Sequence, residues 1–347
     1  MPTWGSILGD IRTLQNQGVE NPFDKVRRFY LQELSKQTGR ETILYSTAMT
    51  HPGGSSGLSI DDRDVHAFME VVHSLDGDKL DIILHSPGGS AESTEQIVSY
   101  LRKKFDEIRI FVPQAAMSAA TLMCCAADKV FMAKHSAIGP IDPQFATQTP
   151  FGMRITAAQA ILDQFTMAQN SINNQRDLVA WQPLLNQYSV GLLAECQEAM
   201  ALSRDLAHEW SQDYMHADKP DDRAKELADE LSSFLANRKQ FKSHGRRIDA
   251  ETAAAHGLDV EVLESDQDLQ DSILSVFHAA MHTHSGRPIM KIIENQKGSA
   301  VIKRSEGTIS TTPPTTSDDD ADDSGDGDTA EDTGEHEGNG ADDESEE

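Results

Sequence analysis

Three short stretches carry the groups in this chain that could do covalent chemistry. The first is Ser86-Pro87-Gly88-Gly89. Adjacent glycines allow a sharp turn and let bare backbone N–H groups come close to a ligand. Followed by a helix start near Ala91, such N–H groups can stabilise a developing oxyanion. The plain alternative is a turn between strand and helix that uses glycine for geometry alone. The second runs Pro113-Gln114-Ala115-Ala116-Met117-Ser118-Ala119-Ala120-Thr121. It sets Ser118 among small residues, at the point where an apolar strand would give way to a helix. Small neighbours leave room for a carbonyl to reach Oγ, and a helix N-terminus favours negative charge there. Serine is also a good N-cap, which is the competing reading. The third, Ala137-Ile138-Gly139-Pro140-Ile141-Asp142-Pro143-Gln144, pins Asp142 between prolines. A carboxylate held that way can orient a histidine in a Ser-His-Asp triad. It can equally satisfy local N–H groups in a turn.

Elements of the right kind surround these loops. Residues 5–38 read as helical, with a break at Asn21-Pro22. Residues 41–49 alternate as a strand. Val65, Phe68, Met69, Val72 and Leu75 recur at helical spacing. Residues 79–84, 108–112 and 129–132 are short apolar strands, and the segments between them read as helices. Strand–helix alternation with short loops predicts crossover units and parallel pairing. Ligands in such sheets sit at the carboxyl ends of strands, where the Ser86 and Ser118 loops fall. Beyond residue 155 the pattern is helical. Residues 242–263 break it with a small unit: Ile248, then a helix opened by Asp249 as N-cap and closed by Gly257. Leu269, Ile273, Phe277 and Met281 mark a last helix, and 298–304 can add a strand.

Composition narrows the function. The chain has 347 residues, 38% hydrophobic and only 6% aromatic, which suits a helix-rich α/β protein. With 57 Asp and Glu against 30 Lys and Arg, the net charge is −27. So acidic a chain makes a poor nucleic-acid ligand. The last 30 residues hold 16 Asp and Glu and no Lys or Arg. They lack large apolar side chains and are expected to be disordered, after a Thr/Pro-rich linker. Cys124, Cys125 and Cys196 have neither disulfide nor zinc spacing and read as small core residues. Nothing approaches the length of a membrane span, and the N-terminus has no secretory pattern. The expectation is a cytoplasmic protein that needs no metal or organic cofactor.

Taken together, the SPGG loop, the AMSAATL segment and the SAIGPIDPQ loop resemble the ClpP/crotonase superfamily. More narrowly they resemble the serine dehydrogenase (SDH) proteinases, which are related to ClpP and to signal peptide peptidase A. The resemblance covers residues 40–285 and includes 191–210 and the Ser243-His244…Gly257-Leu258 unit. It implies an α/β fold: a ClpP/crotonase-like core of βαβ units with a helical C-terminal extension and the disordered acidic tail. The corresponding bounds are 1–38 for an N-terminal helical segment, 39–155 for the core, 156–304 for the extension and 305–347 for the tail. It further implies a serine peptidase acting on peptide or protein, assembled as a homo-oligomer. Ser118 matches the nucleophile, and the N–H groups of Gly89 and Ala119 match the oxyanion hole. Asp142 and His244 match the acid and the base. Two features depart from the pattern. Where ClpP carries its histidine this chain has Ile141, Asp142 and Pro143, and Ala119-Ala120 stand where many relatives have two glycines. His135, His85, Lys134 and Lys242 are rival or accessory groups. The alternative activities are a crotonase-type acyl-CoA enzyme and a non-catalytic scaffold.

Overall fold

The structure is a computed structural model, and it describes residues 3–50, 57–149 and 152–305. The acidic tail therefore lies outside the described residues.

The strands are β1 (Glu41–Thr47), β2 (Lys79–His85), β3 (Glu107–Val112), β4 (Ala115–Ala116), β5 (Lys129–Met132) and β6 (Ala137–Ile138). They continue with β7 (Gln144–Thr149), β8 (Gly152–Ala157), β9 (Val260–Val262), β10 (Ile289–Asn295) and β11 (Ala300–Arg304). Seven of them form one sheet in the order β11-β10-β1-β2-β3-β5-β9. The run from β1 to β9 is parallel, as the alternation of strands and helices predicts. Neighbouring residues on each central strand serve opposite faces. Ile43, Ile82 and Ile110 enter one apolar cluster, while Leu44, Ile83 and Phe111 enter the other. A sheet buried on both sides needs such near-continuous apolar strands.

The helices are α1 (Trp4–Asn16), α2 (Pro22–Thr38), α3 (Asp62–His73), α4 (Ala91–Lys104), α5 (Ala119–Cys125) and α6 (Ala158–Ser171). After these come α7 (Gln175–Leu185), α8 (Leu192–Trp210), α9 (Asp221–Leu235), α10 (Arg238–Phe241), α11 (Ala250–Ala255) and α12 (Gln267–Gly286). Side chains of α2 and α12 cover one face of the sheet, and those of α3, α4, α5, α8 and α9 cover the other. Local signals set several boundaries. Asp61 opens α3 with a reciprocal capping box, and Ser90 caps α4 by accepting from Ser93 N–H. Asp249 caps α11 as expected, and Gly257 follows that helix at φ +97°. The three cysteines are free and buried.

Several features depart from the sequence reading. Residues 144–157, expected as loop and helix, form the antiparallel β7–β8 hairpin. The side chains of β7 alternate only between exposed and half-exposed, and those of β8 are mostly exposed until the buried Ala157, so no apolar stripe marks the hairpin. Four further strands went unforeseen, of which β4 and β6 have only two residues each. β9 has three residues, too few to show a period. β10 pairs antiparallel with β1 on one side and β11 on the other, and its buried Ile292-Ile293 breaks the alternation that identifies strands.

Buried charges fasten the helical layer to the sheet. Glu294 on β10 is fully buried and receives Arg27 and Arg28 of α2, each at 2.5 Å. Asp81 on β2 is likewise buried and receives Arg40 at 2.7 Å and Arg109 at 2.8 Å. Buried carboxylates persist only when paired in this way.

A buried histidine makes the fold sensitive to pH. His216 Nε2–H donates to Gly257 O at 2.9 Å, joining the end of α8 to the α11 unit. Burial holds its pKa below the usual value of 6.5. The folded state thus keeps His216 neutral while the unfolded chain takes up a proton. Stability should be fully present above pH ~6.5 and fall as the pH drops below it. Urea unfolding at pH 7.5 and 5.5 should show a smaller loss for His216→Gln than for the wild type.

Candidate active site

Ser118 lies between β4 and the first residue of α5, at φ 54° and ψ −121°. An L-residue rarely holds a positive φ, and a sharp strand-to-helix turn of this kind can present a nucleophile. Its hydroxyl makes no helix-capping bond, which sets aside the N-cap reading. The surroundings fix the turn. Ser86 N–H donates to Ala115 O, and Met117 N–H donates to Ser86 O, so the end of β2 pairs with β4. The Thr121 hydroxyl lies 2.9 Å from Ala116 O and 3.0 Å from Gly139 O, and it accepts from Gly139 N–H. One side chain thereby joins β4, α5 and the loop after β6.

Gly88 and Gly89 sit against this turn for steric reasons. A Cβ on Gly88, at φ +88°, would lie 2.3 Å from Met117 O and 2.7 Å from Ser118 Cβ. A Cβ on Gly89 would lie 2.3 Å from both N and O of Ile60. Ile60 runs alongside as a short parallel bridge, donating to Gly88 O at 2.8 Å and accepting from Ser90 N–H at 3.0 Å. Among the described residues neither Gly89 N–H nor Ala119 N–H donates a hydrogen bond. The first is turned to the far edge of the bridge, and the second is the first N–H of α5. Both residues line a cavity of about 490 Å³ with Ser118 and His244.

The histidine reaches the cavity by a long route. Ile248 pairs antiparallel with Ile138 of β6, donating to and accepting from it at 3.0 Å. Phe241 anchors α10 edge-on against Phe234 of α9. His244, between these two anchors, places Nδ1 2.8 Å from Oδ1 of Asp142, which is 5% exposed. The carboxylate only accepts, so Nδ1 carries the proton and the Nε2 lone pair is free. Arg238 lies 3.7 Å from Oδ2 of Asp142, a neighbour that nothing in the sequence singled out. Among the described residues no hydrogen bond joins Ser118 Oγ to His244. Such contacts commonly tighten only with substrate in place.

Of the five residues expected at the site, Ser118, Gly89, Ala119 and His244 line one cavity, and Asp142 stands behind His244. Neither Lys134, Lys242 nor His135 lines it. His85 is wholly buried at the end of β2, with Nδ1 3.1 Å from Thr47 O and its ring against Phe277. The remaining wall is mixed: Leu122, Ile141, Phe145, Ile155 and Leu202 are its large apolar side chains, Ser59, Ser90, Gln144 and Ser203 are polar, and Glu92 is its charged carboxylate. Phe145 and Ile155 come from the hairpin, so sequence reasoning missed that wall together with the hairpin.

Residues 58–175 match the family model of the ClpP-like SDH-type serine proteinases. Two uncharacterized proteins of Methanocaldococcus jannaschii are similar in sequence. One is 34% identical over 122 residues, 33% of this chain and 41% of its own length. The other is 30% identical over 118 residues, 33% of this chain and 40% of its own. The aligned stretch thus spans about two fifths of these curated relatives. A variant of a membrane-bound stomatin-specific protease aligns with 62% of this chain and 79% of its own, at 15% identity and a TM-score of 0.35. A ClpP variant of Listeria monocytogenes aligns with 68% and 99%, at 11% identity and the same TM-score. Among the described residues no helix is long and apolar enough to cross a membrane.

The packing of Gly88 against Ser118 yields a direct test. Gly88→Ala should lower stability by about 1–3 kcal/mol, through strain at positive φ and the clash with Met117 O. Thermal unfolding should show this, while Gly245→Ala, whose Cβ would meet nothing closer than 3.9 Å, should unfold near the wild-type temperature.

Proposed function

We propose, from a chain whose residues 58–175 are of the ClpP-like SDH-type serine proteinase kind, that the protein is a serine peptidase with Ser118 as nucleophile. The observation that carries the reading is the 2.8 Å bond from His244 to Asp142, on a cavity shared with Ser118 at its strained turn. Asp142 holds the imidazole with Nδ1 protonated, so Nε2 takes the Ser118 proton as Oγ attacks the peptide carbonyl. The oxyanion that forms meets the N–H groups of Gly89 and Ala119. The imidazolium then gives its proton to the leaving amine, and the C–N bond breaks to leave an acyl-Ser118. Water, deprotonated by the same Nε2, attacks the ester and releases the acid. This chemistry needs no cofactor. The crotonase alternative is disfavoured because, among the described residues, no Lys or Arg lines the cavity to receive the phosphates of an acyl-CoA. A scaffold that had lost catalysis would have no reason to keep the carboxylate–imidazole pair beside the serine.

The reading extends to a homo-oligomer. Helix α7 has no buried residue, and Met153, Ile155, Met167 and Val179 nearby in sequence are more than half exposed. Such apolar exposure suits a covered surface. Sedimentation equilibrium of the wild type should give an assembly, and Met153→Asp with Val179→Asp should shift it toward monomer. A wild-type monomer at all concentrations rejects this part.

A fluorophosphonate probe should label wild type and not Ser118→Ala, which should lose at least about a thousandfold in peptide hydrolysis. His244→Ala should lose hydrolysis by a comparable factor. Lys134→Ala and Lys242→Ala should retain it. A wild-type rate in His244→Ala rules the histidine out.

A further inference from the structure

We propose that Lys291, Asp64 and Tyr45 are positioning residues that hold the Gly88-Gly89 turn for oxyanion binding; the proposal rests on the peptidase reading above. Lys291 stands on β10 and is 2% exposed, while Asp64 on α3 is 4% exposed. Their charges meet at 2.5 Å. Burying an ammonium is costly, and here burial draws the Lys291 pKa down although Asp64 opposes it. An apolar pair would fill the same space more cheaply, which raises the question of what the ions achieve.

Two arms run from the pair to the same turn. In the first, Asp64 Oδ2 accepts from the Tyr45 hydroxyl at 2.8 Å. Burial, reinforced by Asp64, keeps that phenol protonated. The Ser86 side chain acts on the same phenol, and Ser86 Oγ accepts from Gly88 N–H at 3.1 Å. Tyr45 and Ser86 are wholly buried. In the second arm, Lys291 Nζ donates to Ser59 O at 2.8 Å. Ser59 precedes Ile60, the residue that brackets Gly89 through Gly88 O and Ser90 N–H.

Between the two arms, and among the described residues, Gly89 N–H donates no hydrogen bond. One arm sets the N-terminal side of the turn and the other sets the neighbouring chain. A shift in either moves the N–H that the oxyanion must meet. The other buried ion clusters, around Glu294 and around Asp81, contain no residue that lines the cavity. Both arms from Lys291 end on residues that do: Gly88 on one side and Ser59 on the other. Asp64 N-terminal partners add rigidity, since Asp61 N–H also donates to its Oδ2 at 3.2 Å.

The test compares wild type, Tyr45→Phe and Lys291→Met in cleavage of a fluorogenic peptide and in affinity for the matching peptide boronate, which mimics the tetrahedral state. Tyr45→Phe keeps the ring packing, so it decides the matter if Lys291→Met does not fold. The expected result is a kcat lower by about tenfold in Tyr45→Phe and about a hundredfold in Lys291→Met. KM and the pH profile should stay at wild-type values, and boronate affinity should fall in step with kcat. A Tyr45→Phe variant with unchanged kcat and boronate affinity overturns the proposal, even if its melting temperature drops. A wild type that neither cleaves peptides nor reacts with fluorophosphonate overturns the peptidase reading, and the proposal falls with it.

Discussion

Everything at the site depends on one unfavourable backbone conformation. Ser118 stands at φ 54° with a side chain on its Cα, and such a position persists only where its neighbours leave no relaxed alternative. They do so on three sides. The pairing of Ser86 with β4 fixes the chain before it, the α5 backbone accepts it from behind, and Thr121 ties both to the loop that leads to Asp142. Gly88 completes the enclosure because any larger residue would collide with the Met117 carbonyl. The hydroxyl is thereby held half-exposed at a helix start, where negative charge is favoured.

The proposed base, His244, arrives by different means. The His244 segment docks through a two-residue pairing with β6, and that same strand leads into Asp142 four residues later. A local pairing thus brings together two side chains that are 102 positions apart in sequence. Triads recur on unrelated folds in several chain orders, and the requirement is this convergence and not an order.

The sequence made the candidate site loops readable because each of them obeys a local rule. Consecutive glycines, a serine among alanines and an aspartate between prolines are all compositional signals with a mechanical reason. The parallel strands were readable as well, since burial on both faces demands apolar runs. The unread parts follow non-local rules. The β7–β8 hairpin has no buried face to impose a period. Lys291 lies in the run Ile289–Asn295 and reads as an ordinary polar position, although its partners are 227 and 232 residues away. Arg238 beside Asp142 gives no sign of its role until α10 is folded. Interactions between distant residues leave no periodicity, so their effect on the site becomes visible only in three dimensions.

The place of β10 in the sheet has a consequence for how the molecule comes into being. β1 lies early in the chain, yet its antiparallel neighbour is β10, which emerges from the ribosome only after some 240 further residues. Until then one edge of the parallel sheet is open, and Asp64 faces an interior that lacks its ammonium. The nascent polypeptide therefore displays its serine loop well before it possesses the clamp around Gly88-Gly89. On the proposed reading, the site is complete only once translation has carried β10 into place.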